Sequence, residues 1–261
     1  MFTLKTPEQI ATMKRGGHIL AVILSELAEV AKPGMQTRIL SSIAEARIKE
    51  HGVQASFLGQ IARGKKYPDV ICLSVNNQCV HTPGTAYELK EGDLLKLDFG
   101  VILDGLHSDA ARTVLITDLD TEAVREKEEY KARRKLVAVT RECLEKAIPL
   151  CEDGNYLGDI GHTVQKHAED NGFSVAFELG GHGIGKELHE EPWVANTGKA
   201  KAGLALKVGM VLAIEPIINM GSGGIKDGKD GFTYETVDGS LSAHFEHTVA
   251  ITEKGPEILT V

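Results

Sequence analysis

Positive charge is scarce in this chain: 29 lysines and arginines stand against 37 acidic residues, a formal net charge of −8. That balance argues against broad electrostatic binding to nucleic acid or to an anionic membrane. The one dense basic run, Arg133-Arg134-Lys135, reads as the solvated face of a helix. Long hydrophobic runs are missing too. No apolar stretch approaches the roughly 20 residues that a membrane-spanning helix needs, and Met1 leads into a polar helix start rather than a signal peptide. Cysteine is sparse: Cys72, Cys79, Cys143 and Cys151 form neither a C-x-x-C nor a zinc-ribbon spacing. Reduced thiols in a cytoplasmic protein are the simplest expectation. Repeats of roughly 20–50 residues, the mark of solenoids, are absent. What is present is ordinary: 42% hydrophobic and 25% charged residues in a chain of 261. That is enough to bury a full core, as one large domain or as two fused halves.

Helix punctuation sets out the organisation. Thr6-Pro7-Glu8-Gln9 has Thr as N-cap, Pro at the first helical position and Gln reaching back from the third. Ile10, Met13, Gly17, Leu20, Leu24 and Leu27 then step by three and four along one helix face, until Pro33-Gly34 stops it. A second helix is expected over about 37–51, ending at Gly52, then strands and turns over 57–74, then a loop over 75–84 that carries His81. The pattern recurs. Helices are expected over about 121–148, stopping at Asp153-Gly154, and over about 156–171, stopping at Gly172. Gly34, Gly52 and Phe57 are each followed 120 residues later by the same residue type, at Gly154, Gly172 and Phe177. Glycine helix stops at a fixed offset are what a duplicated unit retains. The expectation is one α+β domain of two pseudo-symmetric halves, approximately 1–118 and 119–261, with a central curved antiparallel sheet and helices on its outer face.

Between the two helix pairs lies a hairpin, 93–116. Asp104-Gly105 is a preferred two-residue turn. It sets Leu103 opposite Leu106 and Asp109 opposite Gly100, so Asp98 and Asp109 become diagonal neighbours on one face. Two carboxylates that close repel unless a proton or a metal lies between them. A register slip that turns one of them to solvent is the alternative. The apolar neighbours Leu95, Leu97, Phe99 and Val101 argue against it. Two further β-type segments carry carboxylates in apolar surroundings: 209–216 with Glu215 before Pro216, and 242–252 with Glu246, joined through the Gly- and Asp-rich segment 221–231. A buried glutamate is costly unless paired or metal-bound. The run 180–192 is rich in glycine around His182 and His189. It misses the phosphate-binding G-x-x-x-x-G-K-[ST] because Glu187 replaces the hydroxyl, and misses H-E-x-x-H because residue 193 is Trp. Glycines there let the backbone approach another surface closely. Asp98, Asp109, His182, Glu215 and Glu246 thus form a hard, oxygen-rich donor set suited to manganese, iron(II), cobalt or zinc. Carboxylates able to bridge suit a pair of such ions.

With HTPG at 81–84, GHGIG at 181–185, HEEP at 189–192, IEP at 214–216 and FEHT at 245–248, the chain resembles type I methionine aminopeptidases, in their short bacterial form, from about residue 8 to 261. The resemblance implies the pita-bread fold and removal of the initiator methionine from nascent polypeptides with a free amine. It implies two divalent ions: Asp98 on one, Asp109 and Glu246 bridging, and His182 and Glu215 on the second. Glu215 is then the proton shuttle, His189 contacts the substrate amide or developing oxyanion, and His81 positions substrate and leaving group. Tyr67, Cys72 and Phe232 match positions of the methionine pocket. Gly64 and Lys65 stand where many members have an aromatic and a histidine, and Leu188 where many have phenylalanine, a change worth about 1 kcal/mol of sulfur–aromatic contact. The segment from Ile116 to Lys135 is longer than is usual. A monomer in the cytoplasm, with the ribosome as a candidate partner, completes the implied picture. The alternatives are an Xaa-Pro aminopeptidase or prolidase on the same fold, and a non-enzymatic binding protein that keeps the fold.

Overall fold

The computed structural model describes residues 3–118 and 126–261. Helix α1 (Pro7–Val30) starts on the expected capping box, with the Thr6 hydroxyl accepting from the Gln9 N–H and the Gln9 side chain accepting from the Thr6 N–H. It ends three residues before Pro33, and α2 (Thr37–Glu50) follows. Helix α3 (Glu128–Ala147) lies within the span expected as helix over about 121–148, and the start proposed near Thr121 lies outside the described residues. Helix α4 (Leu157–Asp170) follows. Among the described residues no helix is long and apolar enough to cross a membrane.

Nine strands form one antiparallel sheet: β1 (Gln54–Ala55), β2 (Ile71–Val75), β3 (Leu94–Leu103), β4 (Leu106–Leu115), β5 (Gly180–Gly183), β6 (Glu190–Ala195), β7 (Val211–Ile214), β8 (Glu246–Thr252) and β9 (Gly255–Ile258). The spatial order is β1-β3-β4-β8-β7-β5-β6, with β2 also on β3 and β9 also on β8. The middle of the sheet therefore joins early and late parts of the chain. The 242–252 stretch is not one strand. It breaks at Phe245, and Ser242–His244 pairs with Ile217–Asn219 in a small separate sheet.

The β3–β4 hairpin has the register that its turn dictates, Leu103 opposite Leu106 and Gly100 opposite Asp109. Asp104 and Gly105 both take positive φ, 51° and 76°, the pair of left-handed residues that a type I′ turn requires. Alternation then sorts the faces. Leu95, Leu97, Phe99 and Val101 pack with Leu20, Leu24 and Leu27 of α1 and Leu40 of α2. Burying those four strand side chains stabilises this register by roughly 6–12 kcal/mol. Asp98 is thereby held on the opposite face, and a one-residue slip would reverse every side chain. A second core sets α3 and α4 against Leu212 and Ile214 of β7 and Val249 and Ile251 of β8. Ala213 of β7 and Glu246 and Thr248 of β8 take the alternate phase, the face opposite the helices.

The two helix pairs correspond closely in position. α2 and α4 are 14 residues each and begin 120 residues apart, at Thr37 and Leu157. The residue ahead of each forms an isolated antiparallel bridge, Gln36 with Glu88 and Tyr156 with Ala205. Phe57 and Phe177, however, differ in environment: the first is buried and the second 57% exposed.

Candidate metal centre

The sheet gathers the five sequence-selected residues from different strands. Asp98 lies on β3 beside Ala111 of β4, and Ala111 in turn faces Glu246 of β8. The Thr248 hydroxyl clamps β8 to β4, accepting from the Asp109 N–H at 2.9 Å and donating to the Asp109 carbonyl at 2.7 Å. His182 of β5 pairs with Ala213 of β7, two residues ahead of Glu215. That approach depends on Gly181, where a Cβ would lie 2.0 Å from the Ala213 carbonyl oxygen. Asp109, His182 and Glu246 each bring a ligand atom to within 4.8 Å of the others, and all three are buried. Glu215, with its side chain 12% exposed, stands just past the end of β7 with Oε1 3.6 Å from His182 Nε2. Asp98 is buried on the same face and close enough to Asp109, Glu215 and Glu246 to interact with their charges.

The electrostatics are those of a site suited to cations. Burial, reinforced by Asp109, holds the Asp98 carboxyl well above its usual range. Burial alone pushes Asp109 up to about 7. Glu215 and Glu246 are also raised well above normal, first by burial and then by neighbouring carboxylates. Asp109 Oδ1 and Glu246 Oε1 are buried without a hydrogen-bond partner. Burial, with a smaller contribution from His189, lowers His182 to about 3. Its Nδ1 lies 2.9 Å from the Gly183 carbonyl, which can only accept, so Nδ1 carries the proton and the Nε2 lone pair is left free towards Glu215. That is the tautomer a metal-ligating imidazole uses. Orphaned carboxylate oxygens, a neutral imidazole and hard donors together fit divalent ions.

Next to this cluster is a cavity of about 90 Å³ lined by Phe57, Gln60, Ile61, Tyr67, Cys72, His81, Leu188 and His189. Tyr67 and Cys72 serve as neutral walls, since burial pushes both groups up. Phe232 is not among the lining residues; its ring stands edge-on to Tyr67, centroids 5.6 Å apart. Lys65 reaches over the Phe232 ring at 5.9 Å. Burial lowers His81 to about 4, with further contributions from His189 and Arg63, and burial also lowers His189, so both imidazoles are neutral near pH 7. The His189 ring stacks edge-on against His182, centroids 4.4 Å apart.

Two features escaped the sequence reading. Phe57 and Ile61 line the cavity although neither belongs to a recognisable motif. His244 is fully buried, with Nε2 3.4 Å from Glu215 Oε2 and 3.9 Å from Glu246 Oε2. Its place two residues before Glu246 was the available signal, because such spacing on extended chain returns to the same face.

Clustered carboxylates and a free imidazole nitrogen beside an apolar cavity define a metal-dependent hydrolase. The profile of metallopeptidase family M24 matches residues 11–253, and the chain belongs to that family. The methionine aminopeptidase of Clostridium perfringens is 44% identical over 261 residues, covering 100% of this chain and 99% of that protein. Methionine aminopeptidase 1 of Bacillus subtilis is 40% identical over 260 residues, with 100% and 99% covered. The crystal structure of methionine aminopeptidase from Thermotoga maritima matches with a TM-score of 0.91 at 40% identity, covering 100% of this chain and 99% of that one. The prolidase from Pyrococcus furiosus matches with a TM-score of 0.75 at 20% identity, covering 99% of this chain and 65% of that chain, and shares the fold alone. The α+β pita-bread fold expected from the resemblance is the fold of this chain.

Proposed function

We propose that this chain removes the N-terminal methionine from nascent proteins and peptides, using two divalent ions held by Asp98, Asp109, His182, Glu215 and Glu246. The observation that carries the reading is the juxtaposition of that donor set with the small apolar cavity, and with His81 and His189 on the cavity wall. Bound there, divalent ions would lower the pKa of a water and polarise the scissile carbonyl.

The chain's own residues supply the rest. The cavity of about 90 Å³ suits one unbranched apolar side chain, with Phe57, Tyr67 and the Cys72 thiol as walls. Phe232 contributes by bracing Tyr67. His189, neutral and beside His182, offers an N–H to the scissile amide or to the oxyanion that forms from it. His81 lines the same cavity on a backbone of φ 63°; a neutral imidazole there positions the substrate amide and assists the leaving amine. Glu215, already disposed to hold a proton, takes one from the attacking water and passes it to that amine. The correspondence of the two helix pairs supports one catalytic domain built of two related halves, near 1–118 and 119–261. Nascent chains bearing a free amine are the expected partners. Manganese, iron(II), cobalt and zinc all suit the donors.

The test compares release of the first residue from Met-Ala-Ser and Ala-Pro-Ala by protein reloaded with manganese or cobalt. Preference for Met-Ala-Ser is expected. Preference for the proline peptide would turn the reading to an Xaa-Pro peptidase, and no turnover of any free-amine peptide would turn it to a binding protein.

A further inference from the structure

We propose that His244 is a positioning residue of the metal centre, its Nε2–H holding the outer oxygen of Glu215, Oε2, so that Oε1 is presented beside His182. The proposal rests on the metal-centre reading above. Glu215 stands between two imidazoles, Oε1 3.6 Å from His182 Nε2 and Oε2 3.4 Å from His244 Nε2. His182 belongs to the tight cluster with Asp109 and Glu246, so Oε1 is the metal-facing oxygen and Oε2 the one turned away. A ligating carboxylate commonly gives one oxygen to the ion and takes a hydrogen bond on the other, which fixes its orientation.

His244 is built to be that donor. Its backbone is pinned in both directions by Thr113 of β4: the His244 N–H donates to the Thr113 hydroxyl and that hydroxyl donates to the His244 carbonyl, each at 2.8 Å. It also pairs with Ile217, two residues beyond Glu215. The ring is only 1% exposed, and neither nitrogen has a hydrogen-bond partner. An imidazole must carry at least one N–H, and a buried donor left unsatisfied costs about 1–3 kcal/mol. A shift of a few tenths of an ångström in the Glu215 side chain would bring the pair at 3.4 Å into hydrogen-bond range. Nε2 is also 3.9 Å from Glu246 Oε2, so the same donor stands between two carboxylates that arrive on different strands.

The experiment compares wild type, His244→Gln and His244→Leu as full chains, stripped of metal and titrated with Co(II). Gln keeps an N–H at similar reach, whereas Leu fills the space without one. Expected for His244→Leu are a 10–100-fold loss of Co(II) affinity by calorimetry, a fall in kcat on Met-Ala-Ser larger than the change in KM, and substantial rescue of both by His244→Gln. The visible Co(II) spectrum at saturation should be the same in all three. Metal-free His244→Leu should unfold at or above the wild-type temperature, because an unpartnered polar ring has been removed. Wild-type affinity and kcat in His244→Leu would reduce His244 to packing. A spectrum showing one fewer nitrogen donor in both variants would make it a direct ligand; either result overturns the proposal. If wild type itself takes up no Co(II), the metal centre fails as well, which separates the two claims.

Discussion

Replacing Asp109 by asparagine should strengthen the metal-free protein while weakening its hold on metal. Asp109 is 3% exposed, Oδ1 has no partner, and burial lifts its pKa from the ordinary 3.8 to about 7. The folded protein therefore binds this proton more tightly than the unfolded chain. Nothing is lost below pH 3.8, and stability falls as pH rises through 7. About three pKa units correspond to roughly 4 kcal/mol once the group is fully ionised. Asparagine has the same shape without the charge, but an amide lacking a partner costs about 1–3 kcal/mol. The net gain in the metal-free state is then on the order of 2 kcal/mol at pH 8, worth roughly 4–8 °C in Tm for a domain of this size, and it should reverse to a loss of about 1–3 kcal/mol near pH 4, where only the cost of the amide remains. Thermal and urea unfolding of chelator-treated protein at pH 4.5 and pH 8 measures it, with Co(II) titration alongside. Metal affinity should drop and turnover nearly disappear. A metal-free Asp109→Asn protein less stable than wild type at pH 8, or a difference independent of pH, would refute the argument that the carboxylate is held in place against its own charge.

Three further outcomes follow from the geometry. Gly181→Ala sets a Cβ 2.0 Å from the Ala213 carbonyl, so β5 must part from β7; stoichiometric metal uptake should be lost, as elemental analysis of the purified protein would reveal. Inserting one residue between Asp98 and the Asp104-Gly105 turn should rotate Asp98 to the helix-packed face and abolish metal binding, whereas the same insertion in the exposed 198–203 loop should be tolerated. His189→Ala should retain metal, measured by calorimetry, yet lose about 10²–10⁴-fold in kcat; parallel loss of metal would instead make His189 part of the binding shell.

What could be read from the sequence was what local chemistry dictates. The hairpin register followed from a turn that only Asp-Gly-like pairs adopt readily and from strict alternation around it. The α1 start followed from a capping box, and α2 and α4 from glycine stops. The β8 boundary was not legible, because nothing in the composition of 242–252 distinguishes one strand from two that diverge at Phe245 into different sheets. Phe57 as a cavity wall depends on Gly100, where a Cβ would come within 2.9 Å of the Phe57 ring. That contact spans 43 positions of sequence and leaves no periodic trace. His244 was passed over because histidine among apolar residues is common in satisfied cores; only the absence of a partner on either nitrogen sets it apart.

Backbone restraints hold the metal-free site together against its own repulsion. Four carboxylates with raised pKa values would relax apart if their backbones could move. They are prevented by sheet register at Asp98, by the Thr248 clamp at Asp109, by the glycine-mediated approach of His182 to β7, and by pairing of β8 with both β4 and β7. The Thr248 clamp and the β8–β4 pairing join residues before 118 to residues after 170, and neither set of strands alone contains the donor set. Divalent cations would relieve the repulsion and release the bound protons, which makes metal affinity rise with pH over the interval in which the metal-free fold weakens. Stability and metal uptake should therefore be anticorrelated across pH in wild type and uncoupled in Asp109→Asn, a relation that a site of solvated surface carboxylates could not produce.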